Sequence, residues 1–268
     1  MQDYVHGYSE REAERLADQA GAVRTFVLDD TGYRASEIVL EAGCGTGAQT
    51  VTLASCNSRT RFVSIDIEPG SLARLAGIIR RNRLTNVTLG RADIYSLPFR
   101  PAAFDHAFVC YVLEHLPRPE AGLQAICSVT KPGGTVTVIE GDHGSCYWYP
   151  STDESIRAWN CLVEVQKRLG GDSLIGRRLY PLLAEAGLLR VEVSPRMIYI
   201  DHSRPELKDS FVRKTIIAMV EGVRARAQEL GLIDRATWRK GIADLHHVAD
   251  DREGTFCYTF FKARGIVK

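Results

Sequence analysis

What the sequence lacks excludes several classes of protein. Among its 268 residues, no apolar run approaches the roughly 18 residues that a membrane-spanning helix needs. Its 34 Lys and Arg residues nearly balance 33 Asp and Glu residues, which leaves a net charge of +1. Charge therefore gives no support for binding to nucleic acid or to an anionic membrane. The N-terminal stretch lacks the apolar core of a signal peptide, so we expect a cytoplasmic protein.

Paired cysteines are also missing. The seven cysteines are scattered: Cys44, Cys56, Cys110, Cys127, Cys146, Cys161 and Cys257. None forms a Cys-x-x-Cys pair or a Cys/His cluster at zinc-ligand spacing, so we predict no metal site. An odd count suits a reducing compartment, and we expect most of these thiols to be packing residues. The composition, 45% hydrophobic and 25% charged, is typical of a soluble globular protein.

The chain is organised around residues 38–49, which read IVLEAGCGTGAQ. A short apolar run ends in Glu41, glycines follow at Gly43, Gly45 and Gly47, and a helix-like segment comes next. Strand, glycine turn and helix form the geometry of a nucleotide-binding α/β unit. Glycine lets the backbone turn sharply and lets a ligand come close, and the helix start favours an anion.

Two acids strengthen this interpretation. The second apolar run ends in Asp66, where a carboxylate is placed to accept hydrogen bonds from ribose hydroxyls. The third run ends in Asp93, which Ile94 follows. That pair suits an adenine, because the carboxylate can accept from its edge while the aliphatic chain covers its face.

Strands and helices alternate along the chain. Strands are predicted near residues 37–41, 61–66, 86–90, 104–110 and 134–140, and helices near 9–28, 47–56, 69–83 and 119–130. Further along we predict a loop at 141–149, helices near 155–169 and 176–186, a strand within 189–200, a helical insertion at 205–249 and a last strand at 255–262. Alternation implies a parallel sheet with helices on both faces and ligands at the carboxyl ends of its strands. Residues at those ends converge on one predicted site: Glu41, Asp66, Asp93, Cys110 and Glu140.

Five ordered motifs carry a resemblance to a known family. They are EAGCGTG at 41–47, IDI at 65–67, ADI at 92–94, FDHAFVCYVLEHL at 104–116 and KPGG at 131–134. Together they resemble class I S-adenosylmethionine-dependent methyltransferases, closest to the small-molecule branch of ubiquinone and menaquinone biosynthesis. The resemblance covers roughly residues 36 to 142.

The resemblance implies a doubly wound, mostly parallel seven-stranded α/β sheet whose last strand inserts antiparallel beside the fifth. It implies one methyltransferase domain over 1–268. Its predicted parts are an N-terminal flap and helix (1–34), a cofactor-binding core (35–142), helical acceptor-pocket elements (143–188 and 202–253) and the last strand (254–268). It also implies transfer of the methyl group of S-adenosylmethionine, which leaves S-adenosylhomocysteine.

The resemblance assigns cofactor contacts residue by residue. Those predicted around the methionine moiety and its sulfonium are Tyr8, Glu41, Gly43, Cys44, Gly45, Gln49 and Cys110. His115 is predicted at a helix start near the cofactor. Asp66 is assigned to the ribose, with Ile67 beside the adenine. Asp93 is assigned to the adenine amino group, with Ala92 and Ile94 lining the ring.

The acceptor side is predicted from position and chemistry. His143, beside Asp142, is the expected general base, because the carboxylate can orient the ring and raise its pKa. His115 is the rival candidate. Tyr4, Tyr147 and Trp159 are predicted to contact the substrate.

The acceptor class follows from a missing motif and from charge. After the fourth strand the chain reads CYVL, without the Asn/Asp-Pro-Pro-Tyr/Phe motif of many nucleic-acid methyltransferases. Together with the balanced charge, this favours a small-molecule acceptor and no nucleic acid or membrane partner. A homodimer is left open.

Two alternatives stay open. Gly43-x-Gly45-x-x-Ala48 also fits a relaxed dinucleotide fingerprint, and Asp66 suits the ribose of NAD, as in an oxidoreductase. A catalytically silent protein that binds S-adenosylmethionine and regulates a partner would carry the same motifs. The identity of the acceptor and the atom that is methylated are not encoded in any motif.

Overall fold

The computed structural model describes Leu28 and residues 30–268. Tyr4 and Tyr8 lie outside the described residues, as does the predicted helix at 9–28 apart from Leu28. Within the part described, no helix combines the length and the apolar character needed to cross a bilayer.

Seven strands form one sheet in the order β3-β2-β1-β4-β5-β7-β6. The strands are β1 (Ile38–Ala42), β2 (Arg61–Asp66), β3 (Val87–Arg91), β4 (Phe104–Cys110), β5 (Thr130–Tyr149), β6 (Leu189–Ile200) and β7 (Thr255–Ile266). Strands β1 to β5 pair in parallel, and β1 lies between β2 and β4. Because parallel strands need crossovers, their carboxyl ends meet at one edge of the sheet.

The helices lie between the strands, as the alternation predicted. The helices are α1 (Thr50–Cys56), α2 (Pro69–Arg81), α3 (Pro119–Val129), α4 (Asp153–Arg168), α5 (Leu179–Glu185), α6 (Pro205–Leu207), α7 (Ala218–Gly222), α8 (Arg224–Glu229) and α9 (Arg235–Asp250). Short 3₁₀ turns occupy Leu113–His115 and Ile175–Arg178, and a π-helix spans Lys208–Ile217. Helix α2 shows the local signals clearly: Glu68 caps it by accepting from the Gly70 N–H, and Pro69 fills its first turn.

The last strand inserts between the fifth and the sixth. The Val267 N–H donates to the Gly134 carbonyl, and the Gly133 N–H donates to the Val267 carbonyl, at 2.9 Å each. The end of the chain therefore lies beside the start of β5, so β7 runs antiparallel to it. The predicted fold class, a mostly parallel seven-stranded sheet of the methyltransferase type, is confirmed.

The predicted loop at 141–149 is wrong, because β5 continues through it to Tyr149. The segment Cys146-Tyr-Trp-Tyr149 is aromatic and favours extended backbone. The same strand also begins earlier than predicted, at Thr130, and its register with β4 shifts between Phe104 and His106.

Contacts divide the chain into two compact units. The first contains Asp142–Leu174 and Met197–Thr259. The second contains the described residues up to Gly141, together with Ile175–Arg196 and Phe260–Lys268. The second unit holds strands β1 to β4, the amino-terminal part of β5 and an apolar core that includes Leu40, Val109 and Val138.

The first unit has its own packing. Helices α4 and α9 approach so closely that a Cβ on Gly241 would lie 2.3 Å from the Glu154 carbonyl oxygen. Beside them lies an aromatic cluster, which consists of His143, Trp148, Trp159, Phe211, Phe256 and Tyr258.

Candidate cofactor site

The glycine turn after β1 has two kinds of glycine. All three have positive φ: 77° at Gly43, 51° at Gly45 and 89° at Gly47. A Cβ on Gly43 would lie 2.3 Å from Val112 Cγ2, and one on Gly47 would lie 2.2 Å from Leu75 Cδ1. A Cβ on Gly45 would meet no protein atom within 4 Å. Gly43 and Gly47 thus permit packing, whereas Gly45 leaves open space beside the backbone.

Asp66 connects the end of β2 to this turn. Its Oδ2 accepts from the Gly45 N–H at 2.7 Å, and its Oδ1 accepts from the Glu68 N–H at 2.9 Å. Burial raises the pKa of Asp66, although these N–H groups favour the charged form. Ile67, the next residue, is exposed to 52%. An acid and an uncovered aliphatic side chain therefore lie together at the carboxyl edge of the sheet.

Glu41 lies beneath the turn. Its Oε2 accepts from Thr50 Oγ1 at 2.8 Å and from Ser64 Oγ at 2.6 Å, and the residue is buried. Burial raises the pKa of Glu41 to about 7. These bonds join β1, α1 and β2 under the glycine turn. Cys44 is also buried, and burial raises the pKa of its thiol.

The third strand contributes at the same edge. The Ala92 N–H donates to the Asp66 carbonyl at 3.1 Å, which places the two strand ends side by side. Asp93 is exposed, and its Oδ1 accepts from the Tyr95 N–H at 2.9 Å in a local turn. Ile94 packs against the apolar core.

The turn after β4 depends on Glu140, to which the sequence motifs assigned no role. Its Oε1 accepts from the N–H groups of Val112 (3.0 Å) and Leu113 (2.8 Å), and the residue is fully buried. Burial raises the pKa of Glu140 well above its usual range. The preceding Tyr111 has a φ of 56°, in the left-handed region. The sequence signal that could have identified Glu140 was its position as a single acid directly after an apolar run.

The remaining cofactor candidates lie around the same turns. Gln49 is buried at the start of α1, and its carbonyl accepts from the Leu53 N–H at 3.0 Å. Cys110 ends β4, and burial raises the pKa of its thiol. His115 lies in the 3₁₀ turn, with its Nε2 3.6 Å from Glu114 Oε1. The structure thus joins Gly45 and Ala92 to Asp66 by hydrogen bonds, while Glu41 is bonded to Thr50 and Ser64 beneath the turn and Cys110 lies at the end of an adjacent strand.

Four of the predicted acceptor-side residues, Asp142, His143, Tyr147 and Trp159, belong to the first unit, whereas the rival base His115 belongs to the second. His143 is buried, and its Nδ1 lies 2.6 Å from the Tyr258 hydroxyl. Its carbonyl accepts from Trp159 Nε1 at 2.9 Å. Asp142 accepts from the Gly144 N–H and from Ser145 Oγ, at 2.9 Å each. Tyr258 is distant in the chain, so no local pattern could have identified it.

Of the three predicted substrate aromatics, the two within the described residues have different surroundings. Tyr147 is exposed to 58%, and its hydroxyl lies 4.0 Å from Met197 Sδ. Trp159 is 4% exposed and packs against Trp148 and His143. Alternate side chains on a strand point to opposite faces, so Tyr147 is exposed while its neighbour Trp148 is buried.

A family model described as a methyltransferase domain matches residues 34–187. This match spans more than half of the chain, so the protein belongs to the methyltransferase domain family. The family predicted from the sequence motifs is confirmed.

The chain is also similar to curated proteins, one of which is named as a methyltransferase. An uncharacterised 37.1 kDa protein of Streptomyces fradiae is 30% identical over 66% of this chain and 51% of its own length. A demethylmenaquinone methyltransferase of Staphylococcus aureus is 31% identical over 44% of this chain and 48% of its own length. The chain thus spans about half the length of these relatives.

A solved structure shows the same fold. It is a Haemonchus contortus phosphoethanolamine N-methyltransferase in complex with phosphomonomethylethanolamine and S-adenosylhomocysteine. The TM-score is 0.55 at 17% identity, covering 93% of this chain and 52% of that one.

Proposed function

We propose that the protein transfers the methyl group of S-adenosylmethionine to a small-molecule acceptor, leaving S-adenosylhomocysteine. The observation that carries this proposal is the open turn at Gly45, hydrogen-bonded to Asp66 at the carboxyl edge of the sheet. Bound S-adenosylmethionine supplies a methyl group already activated by its sulfonium. The protein's main task is then to align the reactants, which can contribute roughly 7–11 kcal/mol.

The residues at the edge fit this cofactor. Gly45 leaves room where a ligand would approach the backbone, and no protein atom lies within 4 Å of its missing Cβ. Asp66 would accept from the ribose hydroxyls, and the exposed Ile67 offers an apolar surface that an adenine would cover. Asp93 is exposed and would accept from the adenine amino group.

The turns behind this edge have a supporting role in the proposal. The carboxylates of Glu41 and Glu140 accept hydrogen bonds from neighbouring protein groups, so they would stabilise the turns near the methionine moiety. Cys44, Gln49, Cys110 and His115 would line the same region.

We propose His143 as the group that accepts a proton from the acceptor, with Asp142 beside it. A positioned base contributes roughly 10²–10⁴-fold where the acceptor must lose a proton. This role requires that Tyr258 accept the hydrogen bond from His143 Nδ1. With the Tyr258 oxygen as acceptor, the proton of the neutral ring lies on Nδ1 and the lone pair on Nε2.

The acceptor is proposed as a small molecule because the chain carries balanced charge and no nucleic-acid methyltransferase motif. The Staphylococcus relative is named for a quinone-type acceptor, which fits this size class. A cytoplasmic location is part of the same proposal.

Isothermal calorimetry with S-adenosylmethionine, followed by turnover assays with candidate acceptors, tests the proposal. Wild-type protein should bind the cofactor, and Gly45→Val and Asp66→Ala should bind it more weakly while remaining folded. Unchanged affinity in both variants would contradict the site. Binding with no transfer to any acceptor would favour the silent regulatory alternative.

A further inference from the structure

A cavity lies within the second unit. Its volume is about 250 Å³. Its floor is one face of four adjacent strands, β4, β5, β7 and β6, because residues at alternate positions line it: His106, Thr135 and Thr137, Lys262 and Arg264, and Ser194 and Arg196. The segment from Asp30 to Tyr33 forms part of its wall.

The lining of this cavity is charged and mostly polar. Three cations, Arg196, Lys262 and Arg264, face two acids, Asp30 and Glu192. Lys262 is 8% exposed, which is rare for a lysine unless its ammonium group is paired. A buried cation of this kind requires an anion as its partner.

Asp30 currently supplies that anion. Its carboxylate accepts hydrogen bonds from Lys262 Nζ and from the guanidinium of Arg196. Burial acts to raise the pKa of Asp30, but these two cations outweigh it and lower the pKa to about 2. Lys262 Nζ also donates to Thr31 Oγ1 at 2.6 Å, and Arg196 Nε donates to Ser194 Oγ at 3.2 Å. The two cations are therefore already oriented toward one carboxylate.

The cavity is larger than this ion pair requires. One water molecule takes roughly 30 Å³ of liquid, so about 250 Å³ accommodates several atoms beyond a carboxylate. The Asp30 side chain is half exposed, and Arg264, the third cation, is exposed too.

We propose that this cavity binds a small oxyanion, of the carboxylate or phosphate class, in the place of the Asp30 carboxylate. Lys262 and Arg196 bind the oxyanion, and Arg264 adds the third positive charge. Arginine suits this role because its planar guanidinium can bind an oxyanion through two parallel hydrogen bonds. Asp30 is then a tethered competitor, and its removal strengthens binding. This site is independent of the cofactor edge and of methyl transfer.

Thermal unfolding of Asp30→Asn, titrated with inorganic phosphate or with acetate, tests the proposal. Sodium chloride at matched ionic strength controls for screening. We expect the variant to unfold at a lower temperature than the wild type, because Lys262 and Arg196 both lose their interaction with the Asp30 carboxylate. Phosphate or acetate should restore its midpoint in a saturable way, with a half-saturating concentration at least tenfold below that of the wild type. The probe that restores the midpoint identifies the oxyanion class, phosphate or carboxylate.

Matched variants make the test specific. Asp209→Asn removes an exposed carboxylate paired with Lys214 in the first unit, and its midpoint should respond to phosphate as the wild type does. Arg264→Gln changes an exposed side chain and should weaken phosphate binding, measured by calorimetry, in the otherwise native protein. Equal restoration by sodium chloride would overturn the proposal. The proposal would also be overturned if neither phosphate nor acetate bound saturably to the wild type or to Asp30→Asn. If Asp30→Asn does not fold, equal phosphate binding by the wild type and by Arg264→Gln would overturn it.

Discussion

Substituting the glycines of the turn one at a time distinguishes a glycine that leaves room for a ligand from one that permits close packing. Alanine at Gly45 requires a residue with a side chain to adopt a φ of 51°, which costs about 1–2 kcal/mol. Its methyl group meets no protein atom within 4 Å. For a chain of this size the unfolding temperature should fall by roughly 2–8 °C. If a ligand uses the open space, affinity for S-adenosylmethionine should fall at least tenfold, which corresponds to about 1.4 kcal/mol.

Gly47→Ala should behave differently. Its alanine has the same backbone strain, and its Cβ would also lie 2.2 Å from Cδ1 of Leu75, which is fully buried. Overpacking adds about 1–3 kcal/mol, so this variant should lose more stability than Gly45→Ala.

Gly187→Ala is the matched control. Gly187 has a φ of 87° with nothing within 4 Å of its missing Cβ, and it lies after α5, away from the turn. Its alanine variant should lose similar stability and keep full cofactor affinity. Thermal unfolding and calorimetry measure the two quantities separately. A Gly45→Ala protein that binds S-adenosylmethionine as tightly as Gly187→Ala would refute the assignment of this space to the ligand.

Three further predictions concern ionisable groups. Because folding raises the pKa of Glu41 from about 4.5 to about 7, the fold favours its protonated form, and stability falls as pH rises between these values. Between pH 5 and pH 8 the wild type should lose of order 2 kcal/mol of its free energy of unfolding, measured by urea unfolding, and Glu41→Gln should remove this loss. An unchanged pH dependence in the variant would contradict the raised pKa of Glu41. Asp66→Ala should weaken cofactor binding and loosen the turn at Gly45, which calorimetry and amide exchange would detect; a protected Gly45 amide would contradict the loosening. His143→Ala should keep cofactor affinity and lose roughly 10²–10⁴-fold in transfer rate, and Tyr258→Phe should shift the pH–rate profile; wild-type turnover in His143→Ala would exclude His143 as the base.

Local sequence patterns closely predicted the strands and helices around the proposed cofactor site, which lies at the carboxyl ends of the parallel strands. The glycines and the acids at the strand ends carry both the fold and the site, because a parallel sheet brings its carboxyl ends together wherever the chain alternates. Position predicted that Gly45 and Asp66 lie at the carboxyl ends of adjacent strands, and the hydrogen bond between them is a finding of the structure.

The parts that sequence patterns missed depend on long-range packing. The segment at 141–149 was predicted as a loop, but in the structure it continues strand β5. Tyr258 contacts His143 from a position 115 residues away, and no periodicity encodes that approach. The cations beside Asp30 come from two strands far along the chain, so their convergence is visible only in the folded protein.

Thermal unfolding of the wild-type protein with S-adenosylmethionine, S-adenosylhomocysteine or NAD tests the central claim most directly. A ligand at 100 times its dissociation constant adds about 2.7 kcal/mol, which raises the unfolding temperature by roughly 5–10 °C for a chain of this size. A shift with S-adenosylmethionine and its product, and none with NAD, is the predicted result. A shift with NAD alone would contradict the methyltransferase account and support the dinucleotide alternative.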